Sequence, residues 1–332
     1  MRALHASPLA ALVAVLLANT CARVTPQVGG ETPQEERVRR LAAVEPSLVK
    51  VTCSAYYRNY TYPRPAVGQR VLILPPPPLE QRLTSSSVAG TGLVLLQNSR
   101  EMVVLTCNHI VDFADTIRYY HLDEAKRPTN HLRQLSVKYR QDIFVFHRSG
   151  EWTAGEVVSV DRENDIALLR TSRAGQEMAE IPLPFPFGDA GDLKLGHEVY
   201  VLGFPKGFFA VTRGLVSPSR GRGKFMLDIA FNRGYSGGVV VYPNERKSRV
   251  EYVGMATSAA YDSHYLLSPP TEATTNALEP DVPYEGEMYV QELKLINYGI
   301  TFVVSSNVVR DFLRANADRL RQIGFAPEPL FR

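Results

Sequence analysis

Three residues that could together activate a serine nucleophile occur in the chain order His109, Asp165, Ser236. A serine hydroxyl is a weak nucleophile at neutral pH, so a base has to take its proton during attack. Histidine suits that role, and a carboxylate bound to its other ring nitrogen fixes the tautomer that the base needs. The three residue types are therefore compatible with hydrolysis, provided that the fold brings them together.

Ser236 lies in the stretch NRGYSGG, residues 232–238, which contains the string G-x-S-x-G. One interpretation is the strand-turn-helix elbow that presents the serine of α/β hydrolases. A second is the nucleophile loop of trypsin-like double barrels, in which backbone N–H groups form an oxyanion hole. A third is a glycine-rich turn in which the serine has no chemical role. The elements around the loop have to decide among them.

Short apolar runs separated by turn residues make up most of the chain, among them TGLVLLQ, EMVVLTC, DIALLR and GGVVVY. Their hairpin-length spacing predicts an all-β barrel architecture. Helical periodicity returns at the C-terminus, where Val309, Phe312 and Leu313 share an apolar face and Gly324 is placed as a stop. Two segments are predicted to be irregular surface loops: residues 57–88, with four consecutive prolines, and residues 263–286.

This pattern argues against an α/β hydrolase, which needs helical segments of ten or more residues between parallel strands. Chain order argues the same way, because that fold places its acid and its histidine after the serine. Downstream of Ser236 the sequence contains one histidine, His264, two residues from Asp262 and inside an irregular segment. An esterase with His264 as its base is therefore a weak alternative.

Six fragments, in chain order, resemble segments of one protease family. GTGLVLL and LTCNHIV resemble its Gly-Ser-Gly strand and its Leu-Thr-x-x-His turn, and ENDIALLR resembles its Asp-Leu-Ala-Leu-Leu strand. The later segments LKLGHEVYVLGFPKGFFAVTRGLVS, NRGYSGG and YGITFVVSSNVV resemble the entry to its second barrel, its nucleophile loop, and its last strand with a helix cap. The family is the HtrA (Deg) branch of the trypsin-like serine proteases, and the likeness covers about residues 44–322.

The resemblance implies an all-β fold of two six-stranded antiparallel barrels with a C-terminal helix. The N-terminal barrel would span about residues 44–180, the C-terminal barrel about 190–305, and the helix 306–322. It also implies a serine endopeptidase acting on protein or peptide substrates, including unfolded ones, without metal or cofactor. Family members are commonly trimers, which leaves a homo-oligomer open, and they usually continue into PDZ domains, for which we expect no room here.

The same resemblance assigns roles to individual residues. His109 would be the general base, Asp165 would orient it, and Ser236 would be the nucleophile. The backbone N–H groups of Gly234 and Ser236 would form the oxyanion hole. Asp161 competes with Asp165 as the acid, but Asp165 directly leads the apolar strand. We expect Cys107, two residues before His109, to be a buried core residue rather than a nucleophile.

Two residues depart from family patterns and bear on specificity. Tyr235 stands where the HtrA loop usually has asparagine, and we expect its ring to reach the edge of the substrate cleft. Ala230 lies six residues before Ser236, where trypsin has the acidic base of its specificity pocket. A preference for Arg or Lys is therefore not expected, and small or medium apolar residues fit better at the cleavage position. A catalytically silent binding or scaffold protein with the same barrels remains the rival hypothesis.

The N-terminus indicates export. Arg2 precedes the apolar run 8–18, which is typical of a signal peptide over residues 1–20 and too short for a membrane span. Cys21 follows in LLANTC, so both lipidation of this cysteine and plain secretion or periplasmic release are open. A linker and short helix are predicted for residues 21–43.

Cysteine usage and charge add weaker constraints. Cys53 and Cys107 could form a disulfide in an oxidising compartment or stay as two buried thiols. Asn59 begins a glycosylation sequon. The net charge of +3 gives no reason to expect a nucleic-acid partner.

Overall fold

The computed structural model of the chain describes residues 32–64, 77–125, 127–173, 175, 180–217, 223–269, 286 and 288–331. The expected signal peptide and the lipidation of Cys21 lie outside these residues. The chain divides into two compact units, residues 1–40 and 41–332. A helix, α1 (Pro33–Ala42), begins in the first unit. Thr32 and Glu35 each accept a hydrogen bond from the other's backbone N–H, a capping box that starts this helix.

The N-terminal half of the larger unit is a closed antiparallel barrel. Its strands pair in the order β1-β2-β3-β7-β6-β5, the β1–β5 pairing closes the barrel, and β4 is attached outside β5. A single helical turn, α2 (Asn108–Val111), follows β3. The strands are β1 (Leu48–Thr61), β2 (Glu80–Gln97), β3 (Glu101–Thr106), β4 (Thr116–Leu122), β5 (Pro128–Phe146), β6 (Trp152–Asp161) and β7 (Ile166–Ser172).

The C-terminal half forms a second closed barrel, with the strand order β10-β13-β12-β11-β8-β9. All of its neighbouring strands are antiparallel. The prediction of two six-stranded antiparallel barrels is therefore confirmed. The strands are β8 (Glu198–Gly203), β9 (Ala210–Ser217), β10 (Lys224–Leu227), β11 (Val239–Asn244), β12 (Arg249–Ser268) and β13 (Tyr289–Ser305).

One apolar core joins the two barrels. Met102 to Leu105 of β3 are fully buried, as expected for a short continuous apolar run that is covered on both faces. The same cluster of buried side chains contains Leu202 of β8, Val239 of β11 and Tyr252 of β12. The ends of β3, β8 and β11 are therefore held at the junction between the barrels.

The chain ends in two helices rather than in the single helix expected for residues 306–322. These helices are α3 (Ser306–Ala315) and α4 (Ala317–Gln322), and Asn316 separates them. The Asn316 side chain donates to the Phe312 carbonyl (2.8 Å) and so competes with the backbone bond that would continue α3. Beyond α4, Gly324 has φ +88°, the left-handed conformation of a helix stop.

The prediction that residues 57–88 and 263–286 form loops is wrong at the ends of these segments, which belong to strands. Residues 57–61 continue β1 and pair with residues 80–84 of β2. Residues 263–268 continue β12 and pair with residues 289–294 of β13. Many of these positions are exposed on both faces, so they lack the apolar alternation by which strands are recognised, and backbone pairing alone defines them. The remaining parts, 65–76 and 270–285, lie outside the described residues.

The structure bears on two predicted modifications, glycosylation of Asn59 and a disulfide between Cys53 and Cys107. Asn59 of the sequon is 8% exposed in β1, and its side-chain amide donates to Thr84 Oγ1 (2.8 Å), so the folded barrel does not present it to a glycosyltransferase. Cys53 and Cys107 are both buried free thiols, which favours the second of the two alternatives. Among the described helices none has the length and apolar character needed to cross a bilayer.

Buried free thiols should resist alkylation in the native protein. Burial raises the pKa of Cys53 to about 11 and the pKa of Cys107 well above its ordinary value. Because the thiolate is the reactive form, we expect iodoacetamide at pH 8 to modify both residues at least about 100-fold more slowly in the native than in the unfolded chain. Peptide mapping by mass spectrometry separates them from Cys21, and a disulfide-linked peptide containing Cys53 and Cys107 would contradict the structure.

Candidate active site

His109 and Asp165 are held together at one end of the N-terminal barrel. α2 carries His109, and Asp165 occupies the tight turn before β7 with φ +60°. Asp165 accepts two hydrogen bonds from His109, one from the backbone N–H (2.8 Å) and one from ring Nδ1 (2.7 Å). The carboxylate therefore orients the ring and favours the tautomer with its proton on Nδ1, leaving Nε2 free to act as a base.

Asp161 has a different role in the same turn. Its carboxylate accepts from the backbone N–H (3.0 Å) and the side-chain amide (2.8 Å) of Asn164. It thereby shapes the turn that presents Asp165. Of the two candidate acids, the structure brings Asp165 to the histidine.

An ion pair between Asp112 and Arg162 joins the turn that carries His109 to the turn that carries Asp165. It was not predicted from the sequence. Arg162 binds Asp112 in a two-pronged contact, with Nε 2.6 Å and Nη2 3.2 Å from the two carboxylate oxygens. Asp112 directly follows α2, and Arg162 precedes Asp165 by three residues. Hydrogen bonding to the guanidinium lowers the pKa of Asp112 from its ordinary value. The pair links the segment that carries His109 to the segment that carries Asp165.

The loop that carries Ser236 requires glycine at two positions. Gly234 has φ +104° and Gly237 has φ +83°, in the region that L side chains rarely adopt. Neither position has room for a side chain. A Cβ on Gly234 would lie 2.2 Å from the carbonyl oxygen of Phe204, and one on Gly237 would lie 1.9 Å from that of Thr91.

Every carbonyl from residue 232 to residue 236 accepts a hydrogen bond. The Asn232 carbonyl accepts from the backbone N–H of Tyr235 (3.1 Å), and the Arg233 carbonyl accepts from that of Lys206 (2.7 Å). Gly234 O accepts from the Thr91 hydroxyl (2.7 Å). The last two carbonyls accept from the backbone N–H groups of Gly238 and Thr91, each at 2.7 Å. The loop is therefore fixed at each peptide group, by contacts from both barrels.

Two N–H groups of this loop are left without an acceptor. Within the described part of the chain, neither Gly234 N–H nor Ser236 N–H donates to any group. A trans peptide directs its C=O and N–H to opposite sides. Fixing the carbonyls of Arg233 and Tyr235 therefore directs the N–H groups of the next residues away from the donors that hold those carbonyls. Two such donors, separated by one residue, can stabilise a developing oxyanion.

The Ser236 hydroxyl is bonded to a backbone carbonyl of β12 and not to His109. Ser236 Oγ donates to the Thr257 carbonyl (3.0 Å), and among the described residues no hydrogen bond joins it to His109. The neighbouring Ala256 carbonyl accepts from Gly237 N–H (2.8 Å) and from the Cys107 thiol (3.6 Å). The serine loop and the segment before His109 thus meet at Ala256 of β12.

Residues 90–250 match the family model of the trypsin-like peptidase domain. This stretch is a trypsin-like peptidase domain. No curated protein is similar enough in sequence to be matched. Solved structures with a similar arrangement include the HtrA-type protease AlgW with a tripeptide (14% identity, TM-score 0.45, 84% of this chain and 62% of that chain).

Two further similar structures are an AlgW variant with a decapeptide and the serine endoprotease from Yersinia pestis. Both are 16% identical to this chain, with TM-scores of 0.45 and 0.43. The matches cover 85% and 86% of this chain and 66% and 67% of those chains. The chain thus spans about two thirds of the length of the structures it resembles.

Cys107 of the trypsin-like domain is an inert neighbour of the site. It is fully buried, and burial together with the Asp165 carboxylate raises the pKa of its thiol well above the ordinary value. Its Sγ, a ring nitrogen of His109 and a carboxylate oxygen of Asp165 lie within 4.8 Å of one another, the one such group among the described residues that could hold a metal. A metal would have to displace the thiol proton and break the His109–Asp165 bond, so these residues fit a hydrogen-bonded pair better.

The expectation that the Tyr235 ring reaches the substrate cleft was wrong. Tyr235 is 2% exposed and belongs to the core of the C-terminal barrel, with its ring centroid 6.1 Å from that of Phe231. Its hydroxyl is bonded to Thr212 Oγ1 of β9 (2.5 Å). The loop conformation fixed by its carbonyls turns this side chain inward, which the sequence pattern does not reveal. Ala230, the other specificity candidate, is exposed.

His264, the base of the esterase hypothesis, lies far from Ser236. It is an exposed residue of β12, paired with Leu293 of β13. Thr257 contacts Ser236, and His264 is seven residues further along the same strand. At about 3.3 Å per residue the separation is roughly 20 Å, too far for proton transfer. The antiparallel barrels also exclude an α/β hydrolase fold.

Removing the Tyr235 hydroxyl should destabilise the C-terminal barrel modestly. In Tyr235→Phe the ring packing remains, but Thr212 loses its hydrogen-bond partner, so we expect the free energy of unfolding to fall by about 1 kcal/mol. Urea denaturation measures the change. Tyr265→Phe, in which the side chain is 71% exposed, is the matched control and should be neutral. Equal stability of both variants would show that the Thr212 contact contributes nothing.

Proposed function

We propose that this chain is an HtrA-like serine endopeptidase in which His109, Asp165 and Ser236 form the catalytic triad. The observation that carries the proposal is the pairing of His109 with Asp165 beside a serine loop that keeps two backbone N–H groups free. The trypsin-like peptidase match over residues 90–250 supports the reaction class. Protein or peptide amides are the proposed substrates.

In the proposed reaction, the Ser236 hydroxyl first leaves the Thr257 carbonyl and turns toward His109 Nε2. As Oγ attacks the substrate carbonyl carbon, its proton passes to Nε2. The carbonyl oxygen becomes an oxyanion that accepts from Gly234 N–H and Ser236 N–H. Collapse of this intermediate breaks the C–N bond, and the amine leaves with the proton from Nε2. An acyl-enzyme remains on Ser236.

Water completes the proposed cycle by the same steps. His109 takes a proton from the water as it attacks the acyl carbon, and the second tetrahedral intermediate expels Ser236 Oγ, which recovers the proton. Asp165 stays ionised throughout. Its bond to Nδ1–H stabilises the imidazolium that forms in each step, and its bond to the His109 backbone keeps the ring in place.

The proposed preference at the cleavage position is for small or medium apolar residues. Ala230 is exposed and carries no charge that could pair with a substrate Lys or Arg. The AlgW structures contain a tripeptide and a decapeptide, and we extend peptide binding from those proteins to this chain. Cleavage sites mapped in a denatured protein substrate test the preference, and predominant cleavage after Lys or Arg would refute it.

A catalytically silent binding protein is the second candidate. The observation in its favour is the hydroxyl of Ser236, which donates to Thr257 O instead of to His109. If that contact is permanent, the serine is never deprotonated and the barrels serve only to bind peptide. Covalent labelling of the serine distinguishes the two functions.

Labelling with a fluorophosphonate is the decisive test of the proposed function. We expect the wild-type protein to be labelled at Ser236 and to cleave casein, and we expect Ser236→Ala to lose both properties. His264→Ala is the control, because His264 is exposed and distant from the serine. Loss of labelling in His264→Ala would overturn the triad. Intact binding of peptide without labelling of the wild type would support the silent binding protein.

Asp165→Asn should lower kcat/KM by about 10⁴-fold, because an amide at this position favours the wrong histidine tautomer. Asp161→Asn is the matched control, since the Asp161 carboxylate hydrogen-bonds to Asn164 and, among the described residues, not to His109. It should stay within about tenfold of the wild type. Steady-state kinetics on a fluorogenic peptide measures both. A larger loss in the Asp161 variant than in the Asp165 variant would contradict the assignment of the acid.

A further inference from the structure

Thr91, in the Gly-Thr-Gly of β2, connects three segments of the site. It is fully buried at the junction of the barrels. Its backbone N–H donates to Ser236 O (2.7 Å), and its hydroxyl donates to Gly234 O (2.7 Å). The hydroxyl also accepts from the backbone N–H of Phe204 (2.9 Å), and its carbonyl accepts from the Thr106 hydroxyl (2.7 Å).

These contacts cross from one barrel to the other. Thr91 and Thr106 belong to the N-terminal barrel, and Thr106 is the last residue of β3 before the segment that carries His109. Gly234 and Phe204 belong to the C-terminal half. Thr91 therefore joins three segments: its hydroxyl binds the nucleophile loop and the residue after β8, and its backbone carbonyl binds the end of β3, which leads to His109.

The flanking glycines allow this close approach. A Cβ on Gly90 would lie 2.7 Å from Ser236 O and 2.1 Å from the Ile110 side chain. A Cβ on Gly92 would lie 2.5 Å from Val104 of β3. All three distances are shorter than real Cβ contacts, so the close packing of β2 against the serine loop and against β3 requires glycine on each side of Thr91.

The Thr91 hydroxyl uses both of its hydrogen-bonding capacities. It gives its one proton to Gly234 O and accepts one from Phe204 N–H. A serine can make the same two bonds, whereas a valine has the same shape and can make neither. The contact to Gly234 O holds the Gly234–Tyr235 peptide, which lies between the two peptides that supply the oxyanion donors.

We propose that Thr91 is a positioning residue that fixes the orientation of the oxyanion donors through Gly234 and Phe204. This proposal rests on the proposed function of the site. Loss of the hydroxyl removes one of the two hydrogen bonds that hold the peptide between the two donor peptides, and it leaves Phe204 N–H without an acceptor. The Gly234 and Ser236 N–H groups then no longer converge on one position, so stabilisation of the oxyanion falls while substrate binding is little changed.

Kinetics on four proteins test the proposal. We expect Thr91→Val to lower kcat by about 10²-fold, the typical loss for one oxyanion donor, with KM within about threefold of the wild type. Thr91→Ser should restore kcat to within about fivefold. Thr171→Val is the matched control, because Thr171 is a buried threonine whose hydroxyl donates to a backbone carbonyl (Ala154, 2.8 Å) far along the barrel. It should keep the wild-type kcat.

A kcat in Thr91→Val equal to that of the wild type would overturn the proposal, as would an equal loss in Thr171→Val. If Thr91→Val does not fold, Thr91→Ala removes the same hydroxyl without strain, and the same kcat loss is expected. Hydrogen exchange gives a readout that does not depend on activity. Thr91→Val should speed exchange of the amides in residues 234–238 relative to Thr171→Val.

The exchange measurement separates this proposal from the proposed function. If the wild type neither labels nor cleaves, the protease function fails, yet faster exchange confined to the loop of Thr91→Val still supports the positioning role. Unchanged exchange in that loop refutes the role, whatever the activity of the wild type.

Discussion

The site depends on the opposite directions of the two polar groups in each peptide. The five carbonyls from residue 232 to residue 236 are all bound, so the orientation of each peptide in the loop is determined. The N–H groups of Gly234 and Ser236 are the ones that this arrangement leaves without an acceptor among the described residues. The proposed oxyanion hole would thus result from backbone and threonine donors that bind the carbonyls, and it would need no charged side chain.

The two-barrel architecture explains why those donors come from distant parts of the sequence. β2 and β3 supply Thr91 and Thr106, the end of β8 supplies Lys206, and β12 supplies the carbonyl that holds the serine hydroxyl. All of these strands contribute side chains to the shared core between the barrels. Because the site lies at this junction, any shift of one barrel against the other would alter the loop before it altered either barrel's own core.

The sequence was sufficient to predict the barrels and the pairing partner of His109, because both depend on local patterns: short apolar runs, and an aspartate directly before one of them. It could not show which way Tyr235 points, since that depends on peptide orientations set by Thr91 and Lys206 from remote segments. The Asp112–Arg162 pair could not be predicted either, because it joins two segments that are 50 residues apart in the sequence. The start of β2 and the end of β12 were missed because their exposed residues carry no alternation of apolar and polar side chains.

The contact between Ser236 Oγ and the Thr257 carbonyl has a consequence for how a resting protease of this kind would be kept dormant. If Ser236 is the nucleophile, the free N–H groups of Gly234 and Ser236 are already available, so activation would need rotation of the Ser236 side chain away from the Thr257 carbonyl. Side-chain rotations of this kind take picoseconds to nanoseconds when they are unobstructed. Dormancy would then be a rotamer preference, adjustable by any group that competes for the Thr257 carbonyl, and it would not require refolding of a loop.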